Sequence, residues 1–206
     1  MDLQQILDTV VDHRPTLQRA SGQYAVLVPL VKREDGYHLL YELRAPSLRH
    51  QPGEVCFPGG HMEDDESPED CAVRETCEEL GVDCADIHII APLDFLTRGS
   101  SIIFPILAEI SPDYERKLNL NPCEVSSLFT VSLSWLRDHP PAFYQFSCRP
   151  SFTDFPYEEL GVTRDYPWLP LEMEVPVYSG LPHPLWGMTA RITSHLVRTL
   201  YNGKGG

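Results

Sequence analysis

Glu75, Glu78 and Glu79 are spaced i, i+3, i+4, which on a helix gathers three carboxylates on one flank. They lie in the stretch 60–82, GHMEDDESPEDCAVRETCEELGV, where nine acids stand against one strong base, Arg74. Oxygen donors with no nearby His or Cys pattern suit a hard divalent cation, Mg²⁺ or Mn²⁺. The cluster is unfavourable for a bare helix. Glu75 and Glu79 repel at i, i+4, and Glu78 and Glu79 sit near the C-terminal end, where the helix dipole disfavours anions. Arg74 relieves part of this by pairing with Asp70 or Glu78, and a bound cation would relieve the rest. Spacing alone leaves two readings open, a metal cage and a solvated acidic helix face.

The element that must carry these groups can be drawn from local rules. Ser67 is a good N-cap, Pro68 suits the first helical position, and Asp70 stands where a capping box places its acid. Gly81 ends the helix. Ala72, Val73, Thr76 and Leu80 form its core-facing stripe. Around it, 24–32 and 37–43 read as strands joined by the turn REDG,. A short strand at 54–58 runs into Gly59-Gly60, and 87–97 and 102–110 form a strand pair joined through Arg98-Gly99-Ser100. Residues 125–133 read as a strand leading to a short helix near Trp135. An N-terminal helix is expected over 2–12 and a closing helix over 186–202. Residues 139–184, rich in Pro and aromatics, read as an irregular excursion with short strands near Phe143–Phe146 and Glu174–Tyr178. Strands flanked by helices give an α/β or α+β sandwich.

A chain of 206 residues holds one domain with a sizeable core, so 1–206 is expected to be a single domain. The formal net charge of −14 disfavours a nucleic-acid partner. An anionic small molecule would then need local arginines and cations to reverse the field. No apolar run approaches the roughly 20 residues of a membrane helix. The opening MDLQQILDTVVDH carries no basic leader, and the expected location is cytoplasmic. The six cysteines form no CxxC pair, and in such a compartment they are expected to be free thiols, mostly buried filler.

The stretch 60–82 resembles the Nudix box, G-x5-E-x7-R-E-U-x-E-E-x-G-U, with U a bulky apolar residue. Gly60, Glu66, Arg74, Glu75, Glu78, Glu79, Gly81 and Val82 match, and Thr76 replaces the first U. The resemblance implies a Nudix α/β/α sandwich with a mixed central sheet. It implies that Glu75, Glu78 and Glu79 ligate the metal with a backbone carbonyl from Gly59 or Gly60. Glu66 and Arg74 would fix the loop and orient the glutamates. Glu63, Asp64 and Asp65 read as solvated charge. The chemistry is hydrolysis of a diphosphate, whose charge the cations neutralise while lowering the pKa of a bound water. Downstream, Glu124 is a candidate to complete the cage or act as base, although a loop glutamate is more often simply solvated.

Residues 39–60, LLYELRAPSLRHQPGEVCFPGG, resemble the extra signature of the coenzyme A diphosphatase branch, L-L-T-x-R-S-x3-R-x3-G-x3-F-P-G-G. Arg44, Arg49, Gly53, Phe57, Pro58, Gly59 and Gly60 hold its register, whereas Tyr41-Glu42 replaces Leu-Thr and Ala45 replaces Ser. The segments NPCEV at 121–125 and LWGMTARI at 185–192 are similar to that branch as well. The substrate implied is coenzyme A or a derivative, giving 3′,5′-ADP and 4′-phosphopantetheine. Arg44, Arg49 and Arg98 would meet its phosphates, and Phe57 is placed with the substrate-facing residues. The excursion's aromatics fit a ligand cover, a dimer surface or plain core, of which core is the expected answer. Family resemblance also allows a homodimer. Competing readings are another nucleoside diphosphate derivative (NADH, ADP-ribose), a nucleoside triphosphate, and a non-catalytic Nudix-fold binding module, which would be expected to have lost box glutamates.

Overall fold

The computed structural model describes residues 21–202, and the helix expected over 2–12 lies outside them. Strands β1 (Gly22–Arg33) and β2 (Gly36–Arg44) form a hairpin with Leu30 opposite Leu39. β7 (Ser101–Ile110) runs parallel to β1 from Gly22↔Ser101 to Val31↔Ile110. Every other pairing in this sheet is antiparallel. β3 (Val55–Cys56) and β8 (Val125–Ser132) pair with β2, β4 (Gly59–His61) with β1, and β5 (Ile87–Pro92) and β6 (Leu96–Arg98) with β7. The sheet is therefore mixed, with eight strands and the backbone order β3-β2-β1-β7-β5.

One edge of β1 is shared. Residues 24–26 pair with β4 and residues 30–33 with β2. The Leu27 N–H points to this edge and donates to the Pro58 carbonyl at 2.8 Å. Pro29, two residues on, points the same way into the gap between partners, where its missing N–H leaves no ladder bond unmade.

Side-chain alternation along the strands separates two apolar layers. Ala25, Leu27 and Val31 of β1, Leu40 of β2, and Ile106, Ala108 and Ile110 of β7 pack against Cys71, Ala72 and Leu80 of helix α1 (Pro68–Leu80). On the opposite face, Val28, Leu30, Leu39, Tyr41 and Leu107 pack against Ala190, Ile192 and Leu196 of the closing helix. A helix on each face of one mixed sheet is the expected α/β/α sandwich. The short helices α2 (Tyr114–Lys117) and α3 (Leu133–Asp138) flank β8, and the closing helix, α4, spans Gly187–Asn202.

The excursion is more regular at its ends than expected. β9 (Ala142–Cys148), β10 (Leu171–Tyr178) and β11 (Leu185–Trp186) form a second antiparallel sheet, with Phe146 opposite Met173 and Val177 opposite Trp186. The expectation of core aromatics fails here. Phe143, Tyr144, Phe146 and Tyr166 are 50, 61, 41 and 45% exposed. Phe152, Phe155, Tyr157, Tyr166 and Trp168 stack mainly on one another, with centroids 4.6–5.4 Å apart.

The cysteine expectation also needs correction. Cys77 and Cys84 are bonded across 5.8 Å between Cα atoms, because the turn after α1 carries the chain back beside the helix's last turn. Of the free thiols, Cys123 and Cys148 are exposed rather than buried.

Candidate active site

α1 is terminated as its sequence dictates. The Ser67 hydroxyl accepts from the Asp70 N–H at 3.1 Å and donates to the Asp70 carboxylate at 2.6 Å. Gly81 adopts φ 67° and its N–H closes on the Cys77 carbonyl at 2.9 Å, a left-handed cap that costs glycine least. Ala72, Thr76 and Leu80 are fully buried, with the Thr76 hydroxyl returned to the Ala72 carbonyl at 2.6 Å. Burying that stripe fixes the helix's rotation and leaves Glu75 and Glu79 on the side that meets β4, with Glu78 exposed beside them.

Arg74 organises the entry to the helix. Its Nε and Nη2 donate to the two Glu66 oxygens at 2.8 and 2.9 Å, and Nη1 donates to Glu75 at 2.8 Å. Glu78 lies 3.7 Å away as a looser partner. The forked bond to Glu66 takes the place expected for Asp70, which is occupied by the N-cap. Glu66 also accepts from the Glu63 N–H at 2.9 Å, tying the 61–67 loop to the helix. The hydrogen bonds from Arg74 hold the Glu66 carboxyl at about 2, well below the ordinary range,.

The two glycines matter for what approaches them. A Cβ on Gly60 would overlap the Glu75 carboxylate, and one on Gly59, at φ 149°, would strike the Ala25 carbonyl of β1. Glycine here lets Glu75 lie directly on β4 and lets β4 lie directly on β1. The Gly59 N–H donates to Glu79 at 2.9 Å, and the Gly60 carbonyl faces the Cys71 thiol at 3.7 Å.

Glu79 is only 5% exposed, and across from it stands Glu42, 1% exposed, which the sequence reading passed over. Burial raises the Glu79 carboxyl well above its usual range, and repulsion from Glu42, Glu124 and Glu75 adds to this. Burial likewise raises Glu42, with Arg44 opposing the shift and Glu124 reinforcing it. Glu42 accepts from the Cys56 thiol at 3.0 Å, a thiol that burial keeps protonated. The other Glu42 oxygen is buried and has no hydrogen-bond partner among the described residues. A signal was available: a lone acid in the apolar strand YHLLYEL, in step with Leu40.

Glu75, Glu79 and Glu124 thus share one electrostatic neighbourhood, whereas Glu78 is exposed. Asn121 anchors Glu124 with a hydrogen bond of 2.9 Å to its carboxylate. Among the described residues no three His, Cys, Asp or Glu side chains converge into a finished cation cage. Arg74 engages Glu75 and the Gly59 N–H engages Glu79. The donor set still fits a hard divalent cation: several carboxylates, two of them buried, and one buried carboxylate oxygen without a partner.

The three candidate arginines border the loop between β2 and β3. Arg44 ends β2, where the pairing with β8 shifts register, and donates to the His50 carbonyl at 3.3 Å. Arg98, at the end of β6, reaches Gln51 of the same loop at 3.2 Å. Arg49 is exposed on that loop. Phe57, expected among the substrate-facing residues, lies in the core instead. It is 4% exposed and stacks on Tyr41 at 4.9 Å inside the core shared with α4, because strand alternation turns it away from α1.

The NUDIX domain family model matches residues 22–149. The chain is 34% identical over 183 residues to the mitochondrial coenzyme A diphosphatase NUDT8 of Mus musculus, covering 87% of this chain and 78% of that one. It is 29% identical over 138 residues to the peroxisomal coenzyme A diphosphatase NUDT7 of Mus musculus, covering 66% of this chain but only 57% of that one. Among solved structures, a MutT/nudix family protein from Enterococcus faecalis aligns over 97% of this chain and 70% of its own at 17% identity, with TM-score 0.50. The family match spans more than half of the sequence and contains both α1 and the loop that Arg74 fastens to it, so the chain belongs to the Nudix family.

Proposed function

We propose that this protein hydrolyses the diphosphate bond of coenzyme A or a derivative, giving 3′,5′-ADP and 4′-phosphopantetheine, with Mg²⁺ or Mn²⁺ held at α1. The observation that carries the reading is the 34% identity to a coenzyme A diphosphatase over 87% of the chain. The carboxylate wall and the arginine-bordered loop support it. Glu75, Glu78 and Glu79 would hold the cation, with a carbonyl of Gly59 or Gly60. When bound, the cation neutralises diphosphate charge and acidifies water. Arg74 and Glu66 orient the carboxylates from behind. Glu124 faces the wall from the β8 side and is the candidate to complete it or to accept the proton from attacking water. Arg44, Arg49 and Arg98 would meet the phosphates, where forked guanidinium contacts combine charge with direction.

The test is incubation with coenzyme A, dephospho-coenzyme A, NADH and ADP-ribose in Mg²⁺ or Mn²⁺, with products identified by mass. Coenzyme A is expected to be preferred and cut only at its diphosphate. A wide preference for NADH or ADP-ribose overturns the substrate and leaves the carboxylate chemistry standing. If Arg44 or Arg49 reads the 3′-phosphate, Arg→Ala there lowers the preference for coenzyme A over its dephospho form by about ten- to hundredfold in kcat/KM. Among the described residues no helix is long and apolar enough to cross a membrane. The relatives' names place them in mitochondria and peroxisomes, so cell fractionation decides between those compartments and the cytoplasm expected from composition.

A further inference from the structure

We propose that Glu42 supplies a carboxylate oxygen to the divalent cation at α1, facing Glu79 across the site. The proposal rests on the reading that α1 holds such a cation. Three observations lead to it. Strand alternation places Glu42 on the α1 face of the sheet, in step with Leu40, which packs in the α1 layer,. Two short links connect it to the wall: Glu42 bonds Cys56 of β3 at 3.0 Å, and three residues on, the Gly59 N–H bonds Glu79 at 2.9 Å. Finally, Glu42 is 1% exposed and one of its oxygens has no partner among the described residues.

A purely structural Glu42 would need only the oxygen that takes the Cys56 thiol, and a neutral side chain would serve as well. The second oxygen is what calls for a ligand. A buried carboxylate oxygen without a partner is strongly unfavourable, and Glu79, 5% exposed, is a second buried carboxylate on the same side of the sheet. One cation between them would satisfy both, since bound divalent ions dominate the local field. The position is also where the chain departs from the coenzyme A diphosphatase signature, which carries Thr there. A Thr side chain has neither the charge nor the length to place an oxygen where Glu42 does.

The experiment uses the full chain with Glu42→Gln, Glu42→Thr and Cys56→Ala, with Glu78→Gln as a positive control. Mn²⁺ affinity is read by electron paramagnetic resonance or calorimetry, and Tm is read with and without Mn²⁺. Both Glu42 variants are expected to bind Mn²⁺ at least about tenfold more weakly, no less than the loss that removing an outer-shell partner causes. Their metal-induced rise in Tm should shrink accordingly. Cys56→Ala, which removes only the thiol contact, should leave affinity unchanged. Unchanged affinity in Glu42→Gln overturns the proposal. So does an equal loss in Cys56→Ala, since the effect would then run through strand packing. If the unaltered chain binds no Mn²⁺, the reading of α1 falls and this proposal with it. If it binds normally and the Glu42 variants match it, only the role of Glu42 falls.

Discussion

The wall built by α1, β2 and β4 and the arm built by β9 and β10 invert the usual placement of their residues. In the wall, Glu42 and Glu79 are 1 and 5% exposed; in the arm, Phe143 and Tyr144 are 50 and 61% exposed. Buried acids and exposed aromatics are the informative exceptions to hydrophobic burial, and here each has a local cause. Of the wall's acids, Glu79 is carried by α1 itself and Glu42 by the sheet face on which α1 packs. The arm's aromatics lie on a small second sheet, on which Phe143, Tyr144 and Phe146 stay exposed. Residue type alone therefore predicts environment poorly where layers end, and the coverage of each sheet face decides it.

The largest expected effect tests whether Phe57 belongs to packing rather than to binding. Phe57→Ala is expected to cost about 3–5 kcal/mol, read by urea denaturation. A stable variant with raised KM would return Phe57 to the substrate side. Next, Glu79→Gln keeps shape and removes charge, so kcat is expected to fall by at least about 10²-fold. Turnover near that of the unaltered chain at saturating Mg²⁺ would make the wall's acids mere burial.

A smaller effect concerns the fastening of the loop. The folded Glu66 carboxyl lies at about 2, below its unfolded value of 4.5. A lowered value contributes stability that is present above the unfolded value and is lost as pH falls through the folded one. The stability gap between the unaltered chain and Glu66→Gln should therefore be largest near neutrality and close between pH 4.5 and about 2. A gap that stays constant over that range would assign the effect to packing. The smallest effect belongs to the arm. Tyr144→Ser is expected to change stability by no more than about 0.5 kcal/mol. A larger loss at higher protein concentration would show that the arm is covered by another copy of the chain.

Much of this is legible in the sequence. The caps Ser67 and Gly81, the stripe Ala72, Thr76 and Leu80 (Val73, expected with them, is only half-buried), and the approximate limits of β1, β2 and β7 follow from local propensity and period. Glu42 was harder to see, since it lies 37 residues before Glu79 and only sheet order brings them to one face. Arg74 was legible in part: helical spacing favours Asp70 and Glu78, and Glu78 does lie 3.7 Å away, but the loop folds Glu66 back into a closer, forked contact.

By itself the sequence determined the carboxylate cluster and the helix that bears it. Caps, carboxylate spacing and the glycines beside β4 act over a few residues, so local physics specifies them. Tertiary structure alone decided which acids are buried, that Phe57 faces the core, and that Phe143 and Tyr144 of the arm are exposed. Those outcomes depend on which distant strands pair and in what register, with Glu42 opposite Cys56 and Leu128. A shift of one residue would turn each of these side chains to the other face.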